Sequence, residues 1–198
     1  MLSRLTSHRL LSGPTVASRI AGIAIALVGV VGLAGWMLDI ELLKGLHPKL
    51  ATMKSNTALA FLLAGVALVL LESRPLDRRV LRCAQGCALT VVLVAVLTLG
   101  EYAAGWDLRI DEFFFTDTRH GLGSPFPGRM GVNTALSFLL LGVALLGLDI
   151  ETRRGQRPAQ LLALAGGAVA VVALVGYFYS VTMLYGIGSY TQMALHTA

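Results

Sequence analysis

Runs of apolar residues long enough to cross a bilayer recur along the chain, with short polar junctions between them. Ile20 to Leu38, Ser55 to Leu71, Cys83 to Gly100, Met130 to Leu148 and Leu161 to about Met183 each carry few or no charges. A spanning helix needs roughly 20 mainly apolar residues, so each run predicts one transmembrane helix. Composition agrees: 56% of residues are apolar, 14% are charged, and the mean hydropathy is +0.74. These values lie outside the range of soluble globular domains and predict a polytopic, all-α membrane bundle with the lipid bilayer as its main partner.

The pattern also repeats. Met53 opens MKSNTALAFLLAGVAL and Met130 opens MGVNTALSFLLLGVAL, identical at twelve of sixteen positions, and Met193 opens MALHTA. Each Met-led segment follows an apolar helix, an aromatic turn such as GWMLDI from Gly35 or GWDLRI from Gly105, and a Pro- or Gly-rich loop. The expected architecture is therefore three parallel helical-hairpin repeats, about 16–73, 80–151 and 158–198, forming one membrane domain. The third hairpin is expected to be truncated, with a sixth helix just begun at Met193.

Charge sets an expected orientation. Arg4, Arg9 and Arg19 precede the first span, Arg74, Arg78, Arg79 and Arg82 fill the second junction, and Arg153, Arg154 and Arg157 fill the fourth. The opposite junctions mix Lys44, Lys49, Lys54, Arg109, Arg119 and Arg129 with Asp39, Glu41, Asp107, Asp111, Glu112 and Asp117. By the positive-inside rule the arginine-rich junctions are cytoplasmic, the N-terminus is inside, and the location is the inner (plasma) membrane. The net charge of +5 is spread over these junctions, so it implies no nucleic-acid partner. The first run is too long for a signal-peptide h-region and predicts a retained span. Cys83 and Cys87, one helical turn apart, read as packing residues.

The doubled MxxNTALxFLLLG motif, together with IDEFFFTDTRHGLGSPFPGRMGVNTALSFLL from Ile110 and LYGIGSYTQMALHTA from Leu184, resembles the polytopic N-terminal membrane sensory regions of bacterial histidine kinases and diguanylate cyclases. The resemblance implies a sensor module of a two-component or related signal-transduction protein, joined to a cytoplasmic output domain and compatible with a homodimer. It brings no ligand and no cofactor with it. The chain has neither a kinase phosphoacceptor-histidine region nor a nucleotide-binding glycine loop, so no enzyme activity is expected of it.

Few residues could carry chemistry. Asn56, Asn133 and His196 share one repeat position near the outer ends of the return helices. They read either as caps and interhelical bridges or as a polar ring that meets a small ligand. His196 alone of the three could titrate or ligate a metal, but no dense ligand spacing surrounds it, His47 or His120. Glu101 is the one acid embedded in a span; it is either a functional carboxylate or one that reaches interfacial water. Trp36 and Trp106 are expected interfacial anchors, among aromatics gathered on the outer side. Gly65, Gly142, Gly166 and Gly167 suit close helix packing. The leading function is signal input at an outer site bounded by Asn56, Asn133, His196 and Glu101. The alternative is a small transporter or channel-like protein; an integral-membrane enzyme would need clustered His, Asp or Glu.

Overall fold

In the computed structural model the described residues are 2–45, 51–73, 77–112, 115, 126, 128–148, 150–152, 155–186 and 191–198, with side chains from residue 16 onward apart from those of Thr182 and His196. The expected roles of His47, Lys49, Arg119 and His120 fall outside them. The described residues form helices and no strand: α1 Leu2–Met37, α2 Glu41–Lys44, α3 Ser55–Leu71, α4 Arg78–Ala104, α5 Val132–Leu146, α6 Pro158–Phe178, α7 Thr182–Tyr185 and a final 3₁₀ turn Leu195–Thr197. Neighbours in sequence pack together: α1 on α3, α3 on α4, α4 on α5 and α5 on α6.

The five expected spans separate into two kinds. Val16–Met37, Arg78–Ala104 and Pro158–Phe178 are long and apolar enough to cross a membrane, whereas Ser55–Leu71 and Val132–Leu146 are shorter apolar helices. At 1.5 Å per residue the two shorter helices reach only about 25 and 22 Å, against a hydrocarbon core of about 30 Å. Ahead of α3, the non-helical residues Met53 and Lys54 are buried, as are Met130 and Gly131 ahead of α5. Irregular backbone at membrane depth is tolerated where protein covers it, and these stretches extend the short helices under such cover. The sixth helix expected from Met193 is represented by buried Met193 and Ala194 and the 3₁₀ turn.

Long helices turn large apolar side chains outward and small ones inward. Leu89, Leu93, Val96 and Leu97 of α4 are exposed, as befits a lipid-facing surface without a bilayer around it. Ala84, Ala88, Val91, Ala95, Thr98 and Glu101 are buried, a spacing that lines one helical stripe. Glu101 thus belongs to the packed face of α4. The α1–α3 contact is closer still: a Cβ added at Gly29 would lie 2.4 Å from the Leu62 backbone nitrogen, and one at Gly65 would lie 2.4 Å from that of Ala26. Gly142 likewise faces Val92 at 2.7 Å, whereas Gly167 meets nothing and departs from the expected packing role.

The ends of α1 and α6 share one geometry. Asp39 and Ser180 adopt φ of 54°, and the next amides return to the same place, Ile40 N to Gly35 O at 3.0 Å and Val181 N to Gly176 O at 2.8 Å. This six-to-one bond around a left-handed residue is the Schellman termination. It ends α6 at Phe178, five residues before the expected Met183. The glycine at the start of each turn lets the following short helix approach: added Cβ atoms would meet Leu43 Cβ at 2.8 Å from Gly35 and Leu184 Cβ at 2.6 Å from Gly176.

Candidate functional site

The C-termini of α1, α4 and α6 and the N-termini of α3 and α5 define the loop end of the bundle. There, each Met-led segment is held by one buried aromatic donor. Met53, Met130 and Met193 are each 1% exposed, and their carbonyls accept from Trp36 Nε1 at 2.9 Å, Tyr102 OH at 3.0 Å and Tyr177 OH. Trp36 also lies under the Lys44 ammonium, 4.6 Å from the ring centroid, and Tyr177 stacks on Tyr185 at 4.0 Å. Lys44 itself pairs with Asp39.

The middle segment departs from its neighbours. By sequence correspondence, Trp106 should serve Met130 as Trp36 serves Met53. Helix α4 instead stops at Ala104, with Gly105 left-handed at φ 67°, so the chain leaves the helix before Trp106. Tyr102, one turn earlier, takes over the carbonyl, and Trp106 is 63% exposed. Early termination also frees backbone groups for other bonds. The Leu108 amide donates to Glu101 Oε1 at 2.8 Å, and the Trp106 carbonyl accepts from Arg129 Nη2 at 3.3 Å.

Around these groups sits a buried ion cluster. Glu101, Asp111 and Arg129 are 0%, 3% and 3% exposed. Arg129 Nε donates to Asp111 Oδ2 at 2.8 Å and stands 3.3 Å from Glu101 Oε2, with Asp107 3.7 Å from Nη2. Its guanidinium carbon lies 4.6 Å from the Phe126 centroid and 5.3 Å from that of Tyr102. Asn56 Nδ2 completes the cluster by donating to Asp111 Oδ1 at 3.1 Å. Two carboxyl groups therefore share one guanidinium, an arrangement with one negative charge in excess when both are ionised. Burial pushes the Asp111 carboxyl above its ordinary range, against the hydrogen bond and charge of Arg129. Although burial acts to lower Arg129, hydrogen bonding to Asp111 and the charges of both carboxylates carry it above its ordinary value.

The cluster forms one wall of a cavity of about 750 Å³, also lined by Tyr102, Trp106, Asp107, Arg109, Glu112 and Phe126. That volume lies within the range of small-molecule sites, and its lining mixes apolar rings with a few polar groups.

Of the residues expected at the site, Asn56 and Glu101 meet through Asp111 and Arg129. Asn133 points elsewhere, donating to the Leu184 carbonyl at 3.2 Å. Neither asparagine caps a helix: the N-cap positions are Lys54 and Gly131, neither with a side-chain cap bond. Each instead reaches the turn that follows the next long helix, so bridging describes them better than capping. His196 lies in the final 3₁₀ turn, its side chain outside the description. Glu101 does not extend to interfacial water; it turns inward to Leu108 and Arg129. Trp36 is 8% exposed and spends its ring inside the protein, whereas Trp106 keeps the exposure that an interfacial anchor requires. Phe61 and Phe138 pack edge to face at 5.0 Å in the core.

Arg129, Asp111 and Tyr102 were not legible as site residues from the apolar pattern, which passes over charges in loops. Two signals pointed towards them. A lone acid within an apolar helix demands a counter-charge, and Arg129 is the one charged residue among Thr52, Arg129 and Gln192, which directly precede the three methionines. Among the described residues no group of three His, Cys, Asp or Glu could hold a metal ion. No protein family, no curated protein and no solved structure matches the chain.

Proposed function

We propose that this chain is the membrane-embedded signal-input module of a bacterial signalling protein, set in the inner membrane with its N-terminus cytoplasmic and joined to a cytoplasmic output domain such as a histidine kinase. Three parallel hairpins, on this reading, present their loop end outward, and the chain itself performs no catalysis. The observation that carries the proposal is the buried Glu101–Arg129–Asp111–Asn56 cluster beside the cavity, which ties the start of α3 to the end of α4 and the segment before α5. A ligand that alters the pairing of Arg129 has direct leverage on how these helices sit against one another. Differential interaction with two arrangements is what a signal requires. The resemblance of the doubled MxxNTALxFLLLG motif supplies the link to an output domain.

Arg129→Gln in the protein joined to its output domain is expected to change the ratio of stimulated to basal phosphotransfer or cyclase output severalfold. Asn133→Leu, which removes one interhelical bond worth about 0.6 to 2 kcal/mol, should leave insertion intact. Unchanged output from Arg129→Gln in a correctly inserted protein overturns the reading. A transporter is the second reading, favoured by charged groups around a cavity. Saturable solute flux in proteoliposomes, abolished by Arg129→Gln, would establish it instead.

A further inference from the structure

The cavity at the loop end carries its own statement of what it holds. Four carboxyl groups, Glu101, Asp107, Asp111 and Glu112, and two guanidinium groups, Arg109 and Arg129, line it, which leaves an excess of two negative charges when all are ionised. Anions are disfavoured there. Arg129, the buried cation, is already engaged by Asp111, Glu101, Asp107 and the Trp106 carbonyl. Glu101 Oε2 is the telling atom: buried and in ionic contact with Arg129, it has no hydrogen-bond donor. A carboxylate oxygen in that state lacks a directional partner that an N–H group supplies. At the rim, the break in α4 has moved Trp106 out of the packed position that Trp36 holds and left its indole 63% exposed. In the first unit an ammonium already rests on such a ring, Lys44 over Trp36 at 4.6 Å. Aromatic faces and carboxylates together are the surroundings that a desolvated ammonium favours.

We propose that this cavity binds a small organic cation with a primary ammonium group, whose N–H donates to Glu101 Oε2 and whose alkyl chain lies against Trp106 and Phe126. The inference rests on the signal-input reading only for its consequence, since it names the chemical class that the input site takes; the binding itself is independent of any output. A primary ammonium is specified over a quaternary one because the open acceptor requires a hydrogen to be donated. The excess charge around Arg129 explains why the ligand is a cation and not a neutral amine.

The test is tryptophan fluorescence of the full chain in nanodiscs, titrated with n-butylammonium chloride against sodium chloride at equal ionic strength. The expected result is a saturable change with n-butylammonium, absent with sodium and at least about tenfold weaker with tetramethylammonium, which cannot donate. Trp106→Phe should remove most of the change. Glu101→Gln should weaken binding by about tenfold or more, the scale of losing a charge-assisted bond. Asp107→Asn, at a side chain 72% exposed, keeps the test open should the buried substitution disturb folding; it should weaken binding severalfold. No saturable response to n-butylammonium, equal binding of tetramethylammonium, or unchanged affinity in a folded Glu101→Gln protein overturns the proposal. Binding without any effect on output in the protein joined to its output domain would refute the signal-input reading and leave the ammonium site standing. Output sensitive to Arg129→Gln with no n-butylammonium binding would refute the ammonium site alone.

Discussion

At the residue scale, the site turns on how buried charges are balanced. Asp111 faces Arg129, Asn56 and the Glu101 carboxyl from the elements around it, and its carboxyl is raised above the ordinary value of 3.8 chiefly because it is buried. Such a shift has a definite sign. The folded protein holds the proton at pH values where the unfolded chain has lost it, so the contribution to stability is complete below the ordinary value. It is lost as pH rises through the folded-state value. Subtracting the melting temperature of Asp111→Asn from that of the natural protein isolates this effect. The difference should grow as pH is lowered from 7 towards 4, with a slope bounded at about 1.4 kcal/mol per pH unit. A difference that shrinks on acidification would mean that Arg129 outweighs burial. Glu101 was readable in the sequence as the lone acid in a span. Its partners were not, because Asp111 and Arg129 lie in loop segments whose approach depends on where α4 ends.

Elements explain that dependence. Apolar runs revealed all five helices, but their boundaries moved wherever backbone geometry intervened. Gly105 ends α4 early in its lipid-embedded series, and the left-handed Ser180 ends α6 at Phe178. Neither stop alters the hydropathy of the run, so length alone could not separate the three long helices from the two short ones. Glycine packing was legible as a class but not position by position. Gly65 and Gly167 look alike in sequence, yet an added Cβ would press on the α1 backbone at Gly65 and meet open space at Gly167. Gly65→Leu should therefore separate α1 from α3 and destabilise the chain by about 1 to 3 kcal/mol or more, as overpacking against unyielding backbone does. Gly167→Ala should leave stability unchanged or slightly higher, since Ala favours a helix over Gly. Unfolding in mixed detergent micelles measures both. Equal destabilisation by the two would contradict the packing assignment.

For the whole molecule, the distribution of charge between the two ends of the bundle is the feature with the widest consequence. Arg78, Arg79 and Arg82 begin α4 and Arg157 precedes α6, with Asp77 among them. At the loop end, Asp107, Asp111 and Glu112 offset Arg109 and Arg129. An excess of unopposed arginine marks the cytoplasmic side, which would turn the cavity and the Glu101 cluster towards the cell exterior, where an input site can meet its ligand. Because α4 runs from one end to the other over 27 residues, about 40 Å, a single helix can report the orientation. With Cys83 and Cys87 replaced by alanine, a cysteine at exposed Arg109 should react with a membrane-impermeant maleimide on intact spheroplasts, and one at exposed Arg79 only after permeabilisation. The reverse pattern would place the cavity on the cytoplasmic face and make an external stimulus untenable. Labelling of both from the same side would show that α4 does not cross, since no arrangement of a spanning helix brings Arg79 and Arg109 to one surface.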